Sequence, residues 1–77
     1  MPTTLDQVCE NGKAKVIGIQ GGQGIRQRLS QMGIHPGDTI AILRYGALRG
    51  PILIEVHGSQ VALGRRIASR IIVEDLG

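Results

Sequence analysis

The segment Arg28-Leu29-Ser30-Gln31-Met32-Gly33-Ile34-His35-Pro36-Gly37-Asp38 restricts the fold more than any other stretch of the chain. It reads as the end of a helix, a glycine stop, a tight turn and the start of a strand. Gly33 can adopt the left-handed conformation that closes a helix. Pro36 cannot continue a helix, and Pro36-Gly37 is a strong turn pair. From Asp38 the chain enters the alternating run Thr39-Ile40-Ala41-Ile42-Leu43. Every other strong local signal is a strand, so one helix is expected inside a small, otherwise β domain.

The remaining elements follow from alternation and turn chemistry. Thr4 is placed to cap one helical turn over Thr4–Val8. A first strand runs Lys13 to Gln20, with Ala14, Val16 and Gly18 on one face and Lys15, Ile17 and Ile19 on the other. Gly21-Gly22 breaks it. The helix spans Gln23 to Met32, and Ile25, Leu29 and Met32 form its apolar stripe. A second strand, Thr39 to Tyr45, leads to the loop Gly46–Pro51. A third, Ile52 to His57, turns Ile52, Ile54 and Val56 inward and Leu53, Glu55 and His57 outward. Gly58-Ser59 is expected as a hairpin turn before a strand from Gln60 to Leu63. A helical turn over Gly64–Ala68 and a last strand, Arg70 to Glu74, complete the chain.

These 77 residues hold one core and one domain, 1–77. Twelve glycines suit many tight turns. The expected class is mostly β: a small SH3-like barrel of five short strands, partly open and strongly bent, with one inserted α-helix and short helical turns. Closing such a sheet hides edges that otherwise pair with other chains.

Little in the chain suits catalysis or metal binding. No nucleophile–base motif is visible among two histidines, one cysteine and six carboxylates. Gly21-Gly22-Gln23-Gly24 precedes a helix, but Ile25-Arg26-Gln27 is not the Gly-Lys-Ser/Thr ending of a phosphate-binding loop. Gln27 also stands where the dinucleotide fingerprint needs its third glycine. The expected reading is a plain strand-to-helix turn. Glu55 and His57 lie on one strand face and are the only metal-ligand pair to consider, with Fe2+ as the ion; structural zinc sites want four ligands in short-spaced pairs. His57 is expected as a solvated surface histidine and Cys9 as a small buried hydrophobe.

A net charge of +3 selects no class of partner by itself. Arg65, Arg66 and Arg70, with Arg26 and Arg28, form a basic group that suits phosphates or simply a solvated face; Arg65 could also pair with Glu74 or Asp75. Stacking on single-stranded nucleic acid, or a proline-rich-peptide groove, needs aromatics, and Tyr45 is the only one. No apolar run is long enough to cross a membrane, and the start lacks the basic and apolar blocks of a secretory signal. The lone Cys9 fits a reducing cytoplasm.

The loop after the second strand is different. Leu48 sits between turn residues where it can hardly reach a core, and Leu53 points outward beside it. Tyr45, Leu48 and Leu53 form an apolar cluster rimmed by Arg44 and Arg49. It reads either as a protein-docking surface or as a plug over the open end of the barrel.

Arg28-Leu29, Gly33-Ile34-His35-Pro36-Gly37, Gly50-Pro51 and Ala62-Leu63-Gly64-Arg65-Arg66-Ile67-Ala68 resemble, in order and spacing, the pattern of the FeoA family. These are small cytoplasmic proteins associated with bacterial ferrous iron uptake. The resemblance extends from Leu5 to Val73 and implies an SH3-like barrel with the helix inserted after the first strand. It implies a non-enzymatic accessory protein, without a cofactor, that docks on the cytoplasmic GTP-binding part of the membrane transporter FeoB, at the inner face of the membrane but not inserted in it. Ala47 stands where a proline often precedes the leucine, which implies a less rigid loop. Two alternatives come from other classes. The Gly33–Asp38 turn also resembles that of swapped-hairpin DNA-binding regulators, and a ferrous-ion chaperone is the second.

Overall fold

Alternation decides the first long strand. In the computed structural model, which describes residues 1–77, Ala14 and Val16 are buried while Lys13 and Lys15 face solvent. The elements in chain order are β1 (Pro2–Thr4), β2 (Lys13–Ile19), α1 (Gln23–Gln31), β3 (Thr39–Tyr45), β4 (Ile52–Val56), β5 (Ser59–Leu63), α2 (Arg65–Ala68) and β6 (Ile71–Asp75). Single 3-10 turns cover Leu5–Gln7 and Ala47–Arg49. The strands form one antiparallel sheet in the order β1-β6-β2-β3-β4-β5. That is the expected mostly-β SH3-like arrangement, with six strands where five were expected.

The sheet wraps around a core of Ile, Val, Leu and Ala side chains. Ile40 and Ile42 of β3, Ile52, Ile54 and Val56 of β4, Leu63 of β5 and Ile71 and Val73 of β6 are all buried. Two bulges bend the sheet. One lies between Val16 and Gly18 in the β2–β6 pairing, where the extra residue, Ile17, turns outward and is 49% exposed. The other lies between Ile42 and Arg44 in the β3–β4 pairing. β3 lies inside the sheet, paired with β2 on one side and β4 on the other.

α1 closes as its sequence dictates. The Gly33 N–H bonds the Ser30 carbonyl at 3.0 Å, and the Ile34 N–H bonds the Leu29 carbonyl at 2.9 Å. This is the Schellman pair, and it requires the residue after the C-cap to be left-handed; Gly33 has φ +82°. Leu29 and Ile34, the two ends of that motif, are both buried, which ties the helix stop to the core. Ile25 and Met32 complete the stripe at half-burial. His35-Pro36-Gly37-Asp38 then forms a tight turn, with the Asp38 N–H on the His35 carbonyl at 3.1 Å.

Four local expectations need correction. Pro2–Thr4 is a strand paired with β6, too short to show alternation. Thr4 makes no side-chain cap; its hydroxyl donates to the Asp6 carboxylate instead. The β4–β5 turn is His57-Gly58, with φ +53° and +78°, because Val56 already pairs with Ser59. Positive φ at both central residues is the hairpin geometry that matches strand twist. Cys9 is exposed, since it lies in a loop outside the core.

Candidate functional site

The apolar cluster is divided by the fold into a buried foot and an exposed tip. Leu48 is fully exposed, at 100%. It has φ +54° and ψ +41°, and Arg49 follows at φ +60°. Two successive left-handed residues that are not glycine each cost about 1–2 kcal/mol. The surroundings hold them there. The Gly46 N–H bonds the Pro51 carbonyl at 3.0 Å, and the Gly50 N–H bonds the Ala47 carbonyl at 2.9 Å. A Cβ on Gly46 would lie 2.6 Å from the Pro51 carbonyl oxygen, so the loop neck closes only around glycine.

Arg65 of α2 clasps the neck from outside. Its Nε donates to the Gly50 carbonyl at 3.1 Å and its terminal nitrogen to the Gly46 carbonyl at 3.4 Å. Its guanidinium lies 5.0 Å from the centre of the Tyr45 ring, a cation–π contact. Arg65 therefore does not pair with Glu74 or Asp75. Ala47 opens the 3-10 turn of this loop, whose neck Arg65 meets through these two hydrogen bonds.

Tyr45 is the foot. Its ring packs against the core at half-burial. Its hydroxyl donates to the Val8 carbonyl, with the Asp6 carbonyl 3.3 Å away, and its N–H donates to the Glu10 carboxylate at 2.9 Å. Leu53, opposite Arg44 across the β3–β4 pair, is half-buried on the outer face. Arg44 and Arg49 are exposed. The structure thus gathers the five residues around one loop, with Leu48 as the free tip and Tyr45 as a fastening rather than an exposed contact.

Burial raises the Tyr45 hydroxyl above 10.0; the Asp6 charge adds to this, and the Arg65 charge opposes it. Tyr45 is the only tyrosine and the chain has no tryptophan, so its ionisation can be read without interference. Near-UV absorbance of the folded protein should show tyrosinate appearing above pH 10.0, and urea should return the midpoint toward that value. The folded state holds this proton more tightly, so the stability it contributes is present below pH 10.0 and is lost as pH rises through the folded value. An unchanged midpoint in urea would contradict the burial of this hydroxyl.

A second polar constellation lies at the opposite end of β3. The Asp38 carboxylate accepts the His35 N–H at 2.7 Å and faces His57 Nε2 at 3.0 Å. His35 Nδ1 is 3.5 Å away, and Ser30 Oγ is 3.2 Å from His35 Nε2. The order Ser–His–Asp invites comparison with a hydrolytic triad. The neighbouring backbone amides offer no free donor for an oxyanion. Those of Gly33, Ile34, His35, Gly37 and Asp38 are each already bonded within the protein. Glu55 and His57 do not share a strand face, because β4 ends at Val56; Glu55 stands exposed opposite Gln60, and His57 turns to Asp38. No three His, Cys, Asp or Glu side chains are grouped to hold a metal ion.

The His35 amide is the main cause holding the Asp38 carboxyl below 3.8, and charge on His57 and His35 adds to it while desolvation opposes. A depressed carboxyl contributes stability above its unfolded value that is lost as pH falls through the folded one. Thermal melts should therefore show the protein losing more stability than Asp38→Asn as pH falls below 3.8. Parallel acid profiles for the two proteins would refute the role of this carboxylate.

A third feature gathers part of the basic group that the sequence marks, Arg28, Arg66 and Arg70, around one concavity. A cavity of about 510 Å³ opens between the start of α1 and α2, bordered by Arg28, Arg66 and Arg70. None of these arginines has a carboxylate within 4.0 Å, since the ion pairs of the chain are His35 and His57 with Asp38.

The FeoA domain family model matches residues 3–75. A Methanocaldococcus jannaschii protein provisionally named Fe(2+) transport protein A is 42% identical over 57 residues, 74% of this chain and 67% of that protein. In Porphyromonas gingivalis an Fe(2+) transport protein A/Fe(2+) transporter FeoB fusion protein is 29% identical over 70 residues, which is 91% of this chain but 8% of the fusion. A crystal structure of an iron uptake regulatory protein (FeoA) superposes with a TM-score of 0.90 at 38% identity, covering 99% of both chains.

Proposed function

The chain belongs to the FeoA family, and from that premise we propose that it is a non-enzymatic adaptor of ferrous iron uptake. It docks, from the cytoplasm, on the GTP-binding part of a FeoB-type membrane transporter. The observation that carries this reading is Leu48, a fully exposed leucine held in a left-handed conformation by a fastened loop. A loop that spends conformational energy to present an apolar tip is preorganised for contact. Leu53 extends the apolar area, and Arg44 and Arg49 steer an acidic partner toward it. Tyr45 holds the loop from beneath. The fusion in Porphyromonas gingivalis joins the two named proteins in one polypeptide, which supports the choice of partner.

No cofactor is needed for this role, and Fe2+ is the cargo of the partner. No helix of the chain is long and apolar enough to cross a membrane. The test is an amide-shift titration of the labelled protein with the soluble GTP-binding domain of its own transporter. Shifts gathered over Tyr45–Leu53 are expected. An absence of shifts with the nucleotide-free, GDP-bound and GTP-analogue forms alike would overturn this docking site.

A further inference from the structure

The geometry points to the cavity between α1 and α2 as a binding site for a polyphosphate anion: pyrophosphate, or the phosphate chain of a nucleotide. Arg28 comes from the exposed side of α1, Arg66 from α2, and Arg70 from the junction between α2 and β6. The junction is fixed in place, because the Gln20 N–H bonds the Arg70 carbonyl at 2.7 Å and the Arg70 N–H bonds the Ile67 carbonyl at 3.0 Å. Three cations are thereby gathered around one concavity with no neutralising carboxylate. Like charges so placed repel, and a bound polyanion relieves them.

The shape of the cavity favours phosphoryl oxygens. The guanidinium fork matches them in bidentate pairs. The wall beside the arginines is bare backbone: Gly22 and Gly24 have open space where a side chain would project. Arg70 Nη1 lies 3.9 Å from where a Cβ on Gly21 would sit, and such a Cβ would be 2.8 Å from the Ile25 side chain. Charge sets the size of the ligand. Three arginines match a di- or triphosphate better than a single phosphate group, which carries about −1.5 to −2. No aromatic side chain borders the cavity, so the phosphate chain is read and a base is not.

The test uses the intact labelled protein, pyrophosphate as probe and no transporter, so its result is independent of the docking proposal. Saturable one-to-one binding is expected, with amide shifts confined to residues 21–25 and 66–70. Arg66→Gln and Arg70→Gln, both at exposed positions, should each weaken it about tenfold or more. Arg49→Gln, outside the cavity lining, should not. GDP and ADP should compete equally. Shifts that never saturate, that spread over all basic residues, or that fall equally with Arg49→Gln would overturn the site. So would capture by anionic phospholipid vesicles without pyrophosphate binding.

Discussion

Replacing Leu48 by aspartate should abolish most binding to the transporter's GTP-binding domain while the protein stays fully folded. Leu48 is 100% exposed and supports nothing in the core, so its loss leaves the fold intact. At an interface the same side chain becomes the apolar anchor, and a charge in its place is desolvated without a partner. A central anchor costs about 2 kcal/mol or more on truncation, which is at least about 30-fold in affinity. Calorimetry or shift titration reads that directly. The second variant, Leu48→Asn, separates anchor from strain. Asparagine tolerates the left-handed region far better than leucine. Leu48→Asn should therefore melt at the same temperature or higher, by up to about 1 kcal/mol of stability, and still bind poorly. If both variants bind like the wild type, the exposed leucine is not the anchor and the docking surface lies elsewhere.

The parts of the fold that were legible are those fixed by neighbours in the chain. Gly33, Pro36 and Gly37 specify the helix stop and the following turn through backbone chemistry alone. The alternation of Ile52, Ile54 and Val56 assigns the inner face of β4 because one face of a sheet is buried. Leu48 was legible as exposed because nothing around it in sequence could bury it. The strand Pro2–Thr4 was not, since three residues carry no period and its pairing partner lies about seventy positions on. His57 was misplaced by one position of register. Alternation put it on the strand, whereas the hairpin needs two left-handed residues and takes His57 with Gly58.

The functional geometry was less legible because it is built from distant pairs. Tyr45 meets Val8 and Glu10 across more than thirty positions. Arg65 reaches back to Gly46 and Gly50, which turns an apparent surface arginine into the clasp of the loop. Arg28 and Arg70 border one cavity only because the fold brings residues 66–70 across from the start of α1. The sequence marks Arg26, Arg28, Arg65, Arg66 and Arg70 as one basic group without separating their roles. Their placement decides which one fastens a loop and which three face an open cavity.

Leu29→Ala should have the largest effect on stability, about 3 kcal/mol. Leu29 is fully buried, at 0% exposure, so its removal leaves a cavity in addition to the lost transfer energy. It also occupies the helix end, where its side chain and that of Ile34 form the hydrophobic part of the Schellman motif. A 77-residue domain has about 4–12 kcal/mol in total, so one side chain removes a quarter or more. At about 4–8 °C per kcal/mol the melting temperature should fall by roughly 12–24 °C. Urea unfolding followed by far-UV circular dichroism checks this; a loss below about 1 kcal/mol would mean that the site collapses around the gap and the core is less tightly packed than described. The same variant tests the separation between core and surface. Leu48 stands on a loop fastened by Tyr45 and Arg65, not by α1. Below its lowered melting point, Leu29→Ala should therefore bind the partner within about twofold of wild type, as distant and independent sites do. A large loss of binding in the folded variant would show instead that α1 and the Leu48 loop are coupled through the core.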